Sequence, residues 1–176
     1  IDQISGYLNK KNMNYVNTKP GSGPRHVVFH PNQKFMYVIN ELDSTIDNYL
    51  LDYSNQTLSL ISSISTLPEN WKGESTCADI HISPNGKYLY GSNRGHDSIA
   101  SYKIDKTTGK LTNIGIFKTN GKTPRNFCLD PSGKYILVGN QDSDTIKVFE
   151  INIKSGVIND EIFSLSIPKP VCILFL

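Results

Sequence analysis

The chain has 176 residues, 38% of them hydrophobic and 10% aromatic, enough to bury the core of one or two domains. Its formal net charge is +2, and 15 lysines are scattered among 16 acidic residues without a basic block, which argues against nucleic-acid and membrane-surface partners. No apolar run reaches transmembrane length and the opening IDQISGYLNKK is not a signal peptide, so a soluble, cytoplasmic protein is expected. Cys77, Cys128 and Cys172 are odd in number and lack CxxC or Cys/His spacing, which predicts buried reduced thiols.

From the N-terminus onward the chain repeats itself. Ile4 and Tyr7 match Ile46 and Tyr49, so the sequence is expected to begin in the third strand of a repeat. Pro24 to Tyr49 then aligns without a gap with Cys77 to Tyr102 and with Pro124 to Phe149, at spacings of 53 and 47 residues. A tandem β-repeat of that period predicts propeller blades. Each repeat opens on a short apolar strand (Val27 to Phe29, Ile80 to Ile82, Phe127 to Leu129). A turn follows at Pro31-Asn32, Pro84-Asn85-Gly86 or Pro131-Ser132-Gly133, where proline fixes φ and glycine permits the reversal. The second strands, FMYVIN, KYLYGSN and KYILVGN, are rich in aromatic and β-branched residues and end on an equivalent asparagine: Asn40, Asn93 or Asn140. After a polar turn comes an alternating third strand, and fourth strands are predicted at Leu58 to Ile64, Leu111 to Phe117 and Val157 to Leu165. Pro170 to Phe175 matches Pro24 to Phe29 and predicts a lone first strand, of the kind that closes a ring by pairing with the opening blade. The predicted fold is therefore all-β. Residues 1–176 form one partial β-propeller domain of four-stranded antiparallel blades, with repeats starting near 24, 77 and 124 and a closing strand at 170–175. An open array of this kind is expected to self-associate through its unpaired blade edges.

In a propeller the innermost strand lines a central channel, so the start of the first strand and the end of the second meet at one rim. Those positions hold Arg25-His26 with Asn40-Glu41, Ala78-Asp79 with Asn93-Arg94, and Arg125-Asn126 with Asn140-Gln141. The scaffold columns are constant while these vary, as expected when a site is built on a shared frame. The three arginines are the only ones in the chain. Guanidiniums bind anions bidentately and stabilise an oxyanion, a carboxylate such as Glu41 can activate water, and His26 can do so near neutrality. The alternative for Glu41 and Arg25 is an ion pair that pins adjacent strands; His30 and His81 read as packed or turn residues. There is no GxSxG elbow, Walker loop or HExxH, and His26, His30, His81 and His96 share no ligand spacing, so neither a metal nor a cofactor is expected.

At GSGPRHVVFHP (Gly21 to Pro31), VINELDSTID (Val38 to Asp47), CADIHISPNGKYLY (Cys77 to Tyr90), SNRGHDSI (Ser92 to Ile99) and TPRNFCLDPSGKYILVGNQDSDTIKVF (Thr123 to Phe149) the chain resembles the lactonase family of seven-bladed β-propellers. That family includes the propeller-type 6-phosphogluconolactonases and the fungal 3-carboxy-cis,cis-muconate lactonising enzyme. The resemblance implies a seven-bladed ring, a metal-free site in the channel and a substrate that is a small-molecule lactone or phosphosugar. The muconate branch uses a glutamate, two arginines and a histidine. Glu41, Arg25 and Arg125 match three of these, and the histidine would come from a blade upstream of Ile1. Hydrolysis of 6-phosphoglucono-1,5-lactone, in the pentose phosphate pathway, is the implied activity. Glu41, Arg25, Arg125 and His26 are the expected catalytic residues, and Asp79, Arg94, Asn126 and Asn40 the expected substrate-binding ones. A muconate-type cycloisomerase and a non-catalytic interaction scaffold are the competing readings. Trp71, in the insertion Leu67 to Thr76, is the one candidate for a docking face, or else part of a rim loop.

Overall fold

A computed structural model describes residues 15–175. Twelve strands form three four-stranded antiparallel sheets, each an up-and-down meander in chain order. The first blade comprises β1 (Pro24–Phe29), β2 (Phe35–Asn40), β3 (Thr45–Asp52) and β4 (Thr57–Ser65). The second comprises β5 (Thr76–Ile82), β6 (Tyr88–Arg94), β7 (Ser98–Ile104) and β8 (Leu111–Lys118). The third comprises β9 (Pro124–Leu129), β10 (Tyr135–Asn140), β11 (Thr145–Ile151) and β12 (Ile158–Ser166). The predicted repeats are thus blades of a propeller. Inner strands start three residues or more ahead of the predicted apolar stretches, because the polar rim residues belong to the same strands. Among the described residues the one helical turn is a short 3-10 segment, Gln141–Ser143. Ile4 and Tyr7 lie outside the described residues.

The innermost strands stand side by side, β5 between β1 and β9. Blades stack face to face, so their middle strands are buried on both sides and β2 and β6 carry almost no exposed residue. Between the first and second blades lie Phe35, Tyr37, Ile39 and Ile46 against Ile80, Leu89, Ala100, Tyr102 and Ile104. Between the second and third lie Tyr88, Tyr90 and Ile99 against Phe127, Ile136, Val138 and Phe149. Tyrosines in these layers reach carbonyls of a neighbouring blade with their hydroxyls. Tyr37 donates to Gly109 O at 2.8 Å, and Tyr90 to Gly156 O at 3.2 Å.

Residues 170–175 carry no strand ladder. An inner strand pairs with the second strand of its own blade, and none stands beside this segment among the described residues. It lies next to β9 all the same, where the Ile173 N–H donates to Asn126 Oδ1 at 2.7 Å. Cys77 and Cys128 are buried free thiols as predicted; Cys172 is a free thiol exposed on this segment, against expectation.

Candidate active site

The rim site begins with an irregularity that all three inner strands share. In β1 the pairing passes from Pro24–Asn40 to His26–Ile39, skipping Arg25; in β9 it passes from Pro124–Asn140 to Asn126–Gly139, skipping Arg125. In β5 the ladder breaks between Cys77 and Ile80, freeing Ala78 and Asp79. Such bulges release one residue from the pleat and re-aim its side chain. Both arginines line the same cleft of about 590 Å³, together with His26, Asn126, Gln141, Val171 and Cys172.

Neighbouring blades meet here through residues one repeat apart. Glu41, which ends the β2 ladder, is fixed by its own backbone: its N–H donates to Gly23 O at 2.7 Å and its carbonyl accepts from Cys77 N–H at 3.0 Å. Its carboxylate sits between two guanidiniums, Arg25 Nε at 3.5 Å from Oε2 and Arg94 Nη2 in close contact with Oε1. Arg94 also donates to Cys77 O at 3.1 Å, and Arg25 to Ala78 O at 2.5 Å. Burial, with Arg94 adding to it and Glu41 opposing, pulls the Arg25 guanidinium below the usual arginine range. Arg125 makes no ion pair among the described residues. Its guanidinium lines the cleft.

Asp79 is buried and collects donors. Its Oδ1 accepts from His26 Nδ1 at 2.8 Å and from the Ile80 N–H at 3.0 Å. Its Oδ2 accepts from Asn126 Nδ2 at 2.6 Å, His81 Nε2 at 3.1 Å and the Phe127 N–H at 3.2 Å. Burial by itself would raise its pKa, but the hydrogen bonds from His81, His26 and Phe127 outweigh it and hold the carboxyl at about 2. Both oxygens of Asp79, expected among the substrate-binding groups, are engaged by protein donors.

Asn40, also expected among the substrate-binding residues, is held in the same way. It is buried, with its Nδ2 on Thr45 Oγ1 at 2.9 Å. Its equivalents Asn93 and Asn140 each hold the loop that enters their blade, through Thr66 O at 2.9 Å and Thr119 O at 3.0 Å. The constant asparagine is a scaffold column, as its recurrence in all three repeats implies. Trp71 packs edge-on against His96 with ring centroids 4.5 Å apart and has Lys118 Nζ 5.9 Å from its ring, so it pins the insertion to the second blade. His30 is a turn residue, bonded to Gly86 O at 2.8 Å. Gln141 and Cys172 in the cleft, and His81 behind Asp79, were not singled out as site residues from the sequence. The available signal was the repeat itself, since the contacts Arg25–Ala78, His26–Asp79 and Glu41–Arg94 each join residues 53 apart.

Fold and site together define an arc of propeller blades with an arginine-rich channel mouth. The family profile described as "Lactonase, 7-bladed beta-propeller" matches residues 1–175, and the chain belongs to that family. The chain is 41% identical over 125 residues to a 6-phosphogluconolactonase of Photorhabdus laumondii, covering 71% of this chain and 37% of that one. It is 32% identical over 157 residues to the 6-phosphogluconolactonase of Bacillus subtilis, covering 89% and 45%. The solved structure of the Pseudomonas aeruginosa periplasmic gluconolactonase PpgL superposes with a TM-score of 0.84 at 30% identity, covering 88% of this chain and 43% of that one. The chain thus spans less than half the length of these relatives.

Proposed function

We propose that this chain supplies the channel-mouth site of a lactone hydrolase acting on an anionic sugar lactone, 6-phosphoglucono-1,5-lactone being the substrate that the names of its relatives point to. One observation carries the reading: Arg25, Arg94 and Arg125 gather at one rim where Glu41 pairs with the first two and Asp79 is taken up by histidine and amide donors, with Arg125 unpaired among the described residues. A lactone carbonyl gains negative charge as water adds, and a phosphate brings its own; a rim with surplus guanidiniums stabilises both. In this reading Arg125 and Arg25 hold the phosphate or polarise the carbonyl, Arg94 keeps Glu41 in place, and Asn126 lines the cleft. Water is activated by a base at the rim, where Glu41 and His26 are the available groups. A cytoplasmic location suits a phosphorylated substrate, and no helix among the described residues is long and apolar enough to cross a membrane.

The test is hydrolysis of 6-phosphoglucono-1,5-lactone above the spontaneous rate, run on this chain and on its longest natural form. Catalysis that falls by more than ~10-fold in Arg125→Ala supports the reading. Lactonisation of a muconate tricarboxylate without hydrolysis of the sugar lactone would transfer the same cationic rim to the cycloisomerase reaction, and inactivity on both would leave the interaction scaffold.

A further inference from the structure

The rim offers two groups that can take a proton from water, and their surroundings differ in kind. Both oxygens of Glu41 face guanidiniums, one from its own blade and one from the next. A proton on Glu41 would break two ion pairs at once and leave Arg25 and Arg94 facing each other uncompensated. His26 stands with its side chain about half exposed on the cleft, and its two ring nitrogens have opposite partners. Nδ1 lies 2.8 Å from Asp79 Oδ1, and Nε2 lies 3.2 Å from Arg25 Nη1. A guanidinium only donates and an ionised carboxylate only accepts. The ring is therefore compatible with a single arrangement, the proton on Nδ1 and the lone pair on Nε2.

The protonation of Asp79 is settled by the same accounting. Five donors converge on its two oxygens: the His26 and His81 rings, the Asn126 amide and the N–H groups of Ile80 and Phe127. The Asn126 amide cannot be reversed, because its Oδ1 accepts from the Ile173 N–H. A carboxyl proton on Asp79 would find an acceptor only in a histidine ring of the other tautomer, while the Asn126 amide and the two backbone N–H groups favour the anion. Asp79 is thus an anion in the middle of a run of side chains, His26–Asp79–Asn126, that crosses the three inner strands β1, β5 and β9, with the His26 ring as its exposed end.

We propose that His26 is the proton-accepting group of this site, that Asp79 is the positioning residue holding its ring in the tautomer whose Nε2 carries the lone pair, and that Glu41 serves to set Arg25 and Arg94. The inference rests on the hydrolytic reading above and deepens it. In the forward step the Arg25 Nη1–H turns from His26 Nε2 to the lactone carbonyl oxygen, Nε2 takes a proton from water as the water oxygen bonds to the carbonyl carbon, and the carbonyl electron pair moves to the oxygen facing the arginines. When that pair returns, the bond from carbon to the ring oxygen breaks. The ring oxygen leaves with the electrons and takes the proton back from Nε2, giving the open-chain hydroxy acid, which ionises to its carboxylate in water.

Two measurements separate the parts. The chain has four histidines, so a long-range proton–nitrogen NMR correlation resolves the neutral tautomer of each. His26 is expected with Nδ1 protonated and Nε2 bare, and Asp79→Asn should move it towards the other tautomer. Finding Nε2 protonated in the wild-type protein overturns the Asp79 assignment, whether or not any activity is seen and whether or not Asp79→Asn folds. In the longest natural form, His26→Gln should lower kcat by about 100-fold or more with KM changed by less than about threefold. Glu41→Gln should act mainly on KM. The reverse pattern, with kcat lost in Glu41→Gln and kept in His26→Gln, overturns the proposal while the hydrolytic reading stands. A wild-type protein that hydrolyses no lactone defeats that reading and the base role together, and the NMR result then decides the Asp79–His26 pairing by itself.

Discussion

At the scale of single residues, Asp79 is where electrostatics and folding meet, because its anion ties the second blade to both neighbours. Its folded pKa of about 2 lies below the ordinary carboxyl value of 3.8, so its stabilising contribution is complete above about pH 5 and is lost as pH falls towards 2. The contribution is worth about 2 kcal/mol. Asp79→Asn should be less stable than wild type by at least that much at pH 7 in urea unfolding, and the gap should narrow steadily between pH 4 and pH 2. A gap independent of pH would mean that packing, and not charge, is what the mutation removes. The cysteines give a second residue-scale expectation. Burial pushes both Cys77 and Cys128 up to about 11, whereas Cys172 is exposed in the cleft with Arg25 and Arg125. A thiol reagent should therefore label one cysteine in the native chain and three after denaturation, and the native label should map to Cys172.

At the scale of elements, the hairpin between the third and fourth strands couples each blade to the one before it. The turn at Gly109 has φ +71°, a region where a side chain costs about 1–2 kcal/mol, and its carbonyl accepts from both Tyr37 Oη and Asn48 Nδ2. A Cβ at Gly109 would lie 2.5 Å from the Phe35 ring in the first blade. Gln56 holds the equivalent turn position of the first blade at φ 53°, so the backbone shape alone does not demand glycine there. Gly109→Ala should cost about 3 kcal/mol, more than the left-handed backbone accounts for, because it also pushes into the layer between blades. Thermal unfolding reads this, and a loss of 1 kcal/mol or less would show that Phe35 yields freely. The bulges at Arg25, Asp79 and Arg125 belong to the same scale. The strands were legible from their apolar runs and proline turns. The skipped residues were not, since a bulge depends on how a strand meets its partner.

At the scale of the molecule, the described residues form an arc whose third blade presents the register row Cys128, Leu137, Val148 and Phe163 at one end. Tyr135, Ile162 and Phe175 extend it into an open apolar cleft. In the second blade the corresponding row packs against the next blade; in the third, among the described residues, it has only the C-terminal segment beside it. A contiguous exposed apolar surface on a sheet face favours association. Sedimentation velocity of this chain should show species heavier than the 19.7 kDa monomer that grow with concentration, and Phe163→Glu should reduce them. A monomer at all concentrations would mean that the C-terminal segment covers the row adequately in solution.

The sequence by itself determined the blade, its four strands, its turns and the rim at which the arginines gather, because each of these is written locally: alternation, a proline turn, a glycine where φ is positive, a period of about 50 residues. It also named Arg25, Arg94, Arg125, Glu41 and His26 as residues of one rim. Only the tertiary structure decided what each of them touches. Glu41 meets Arg94, and His26 meets Asp79, because neighbouring blades place equivalent positions face to face across 53 residues of chain. Likewise the burial of Asp79 and Asn40, and the protein groups that each bonds, came only with the tertiary structure. Burial at a blade junction is set by the stacking of sheets and the geometry of bulges, and no local pattern records it.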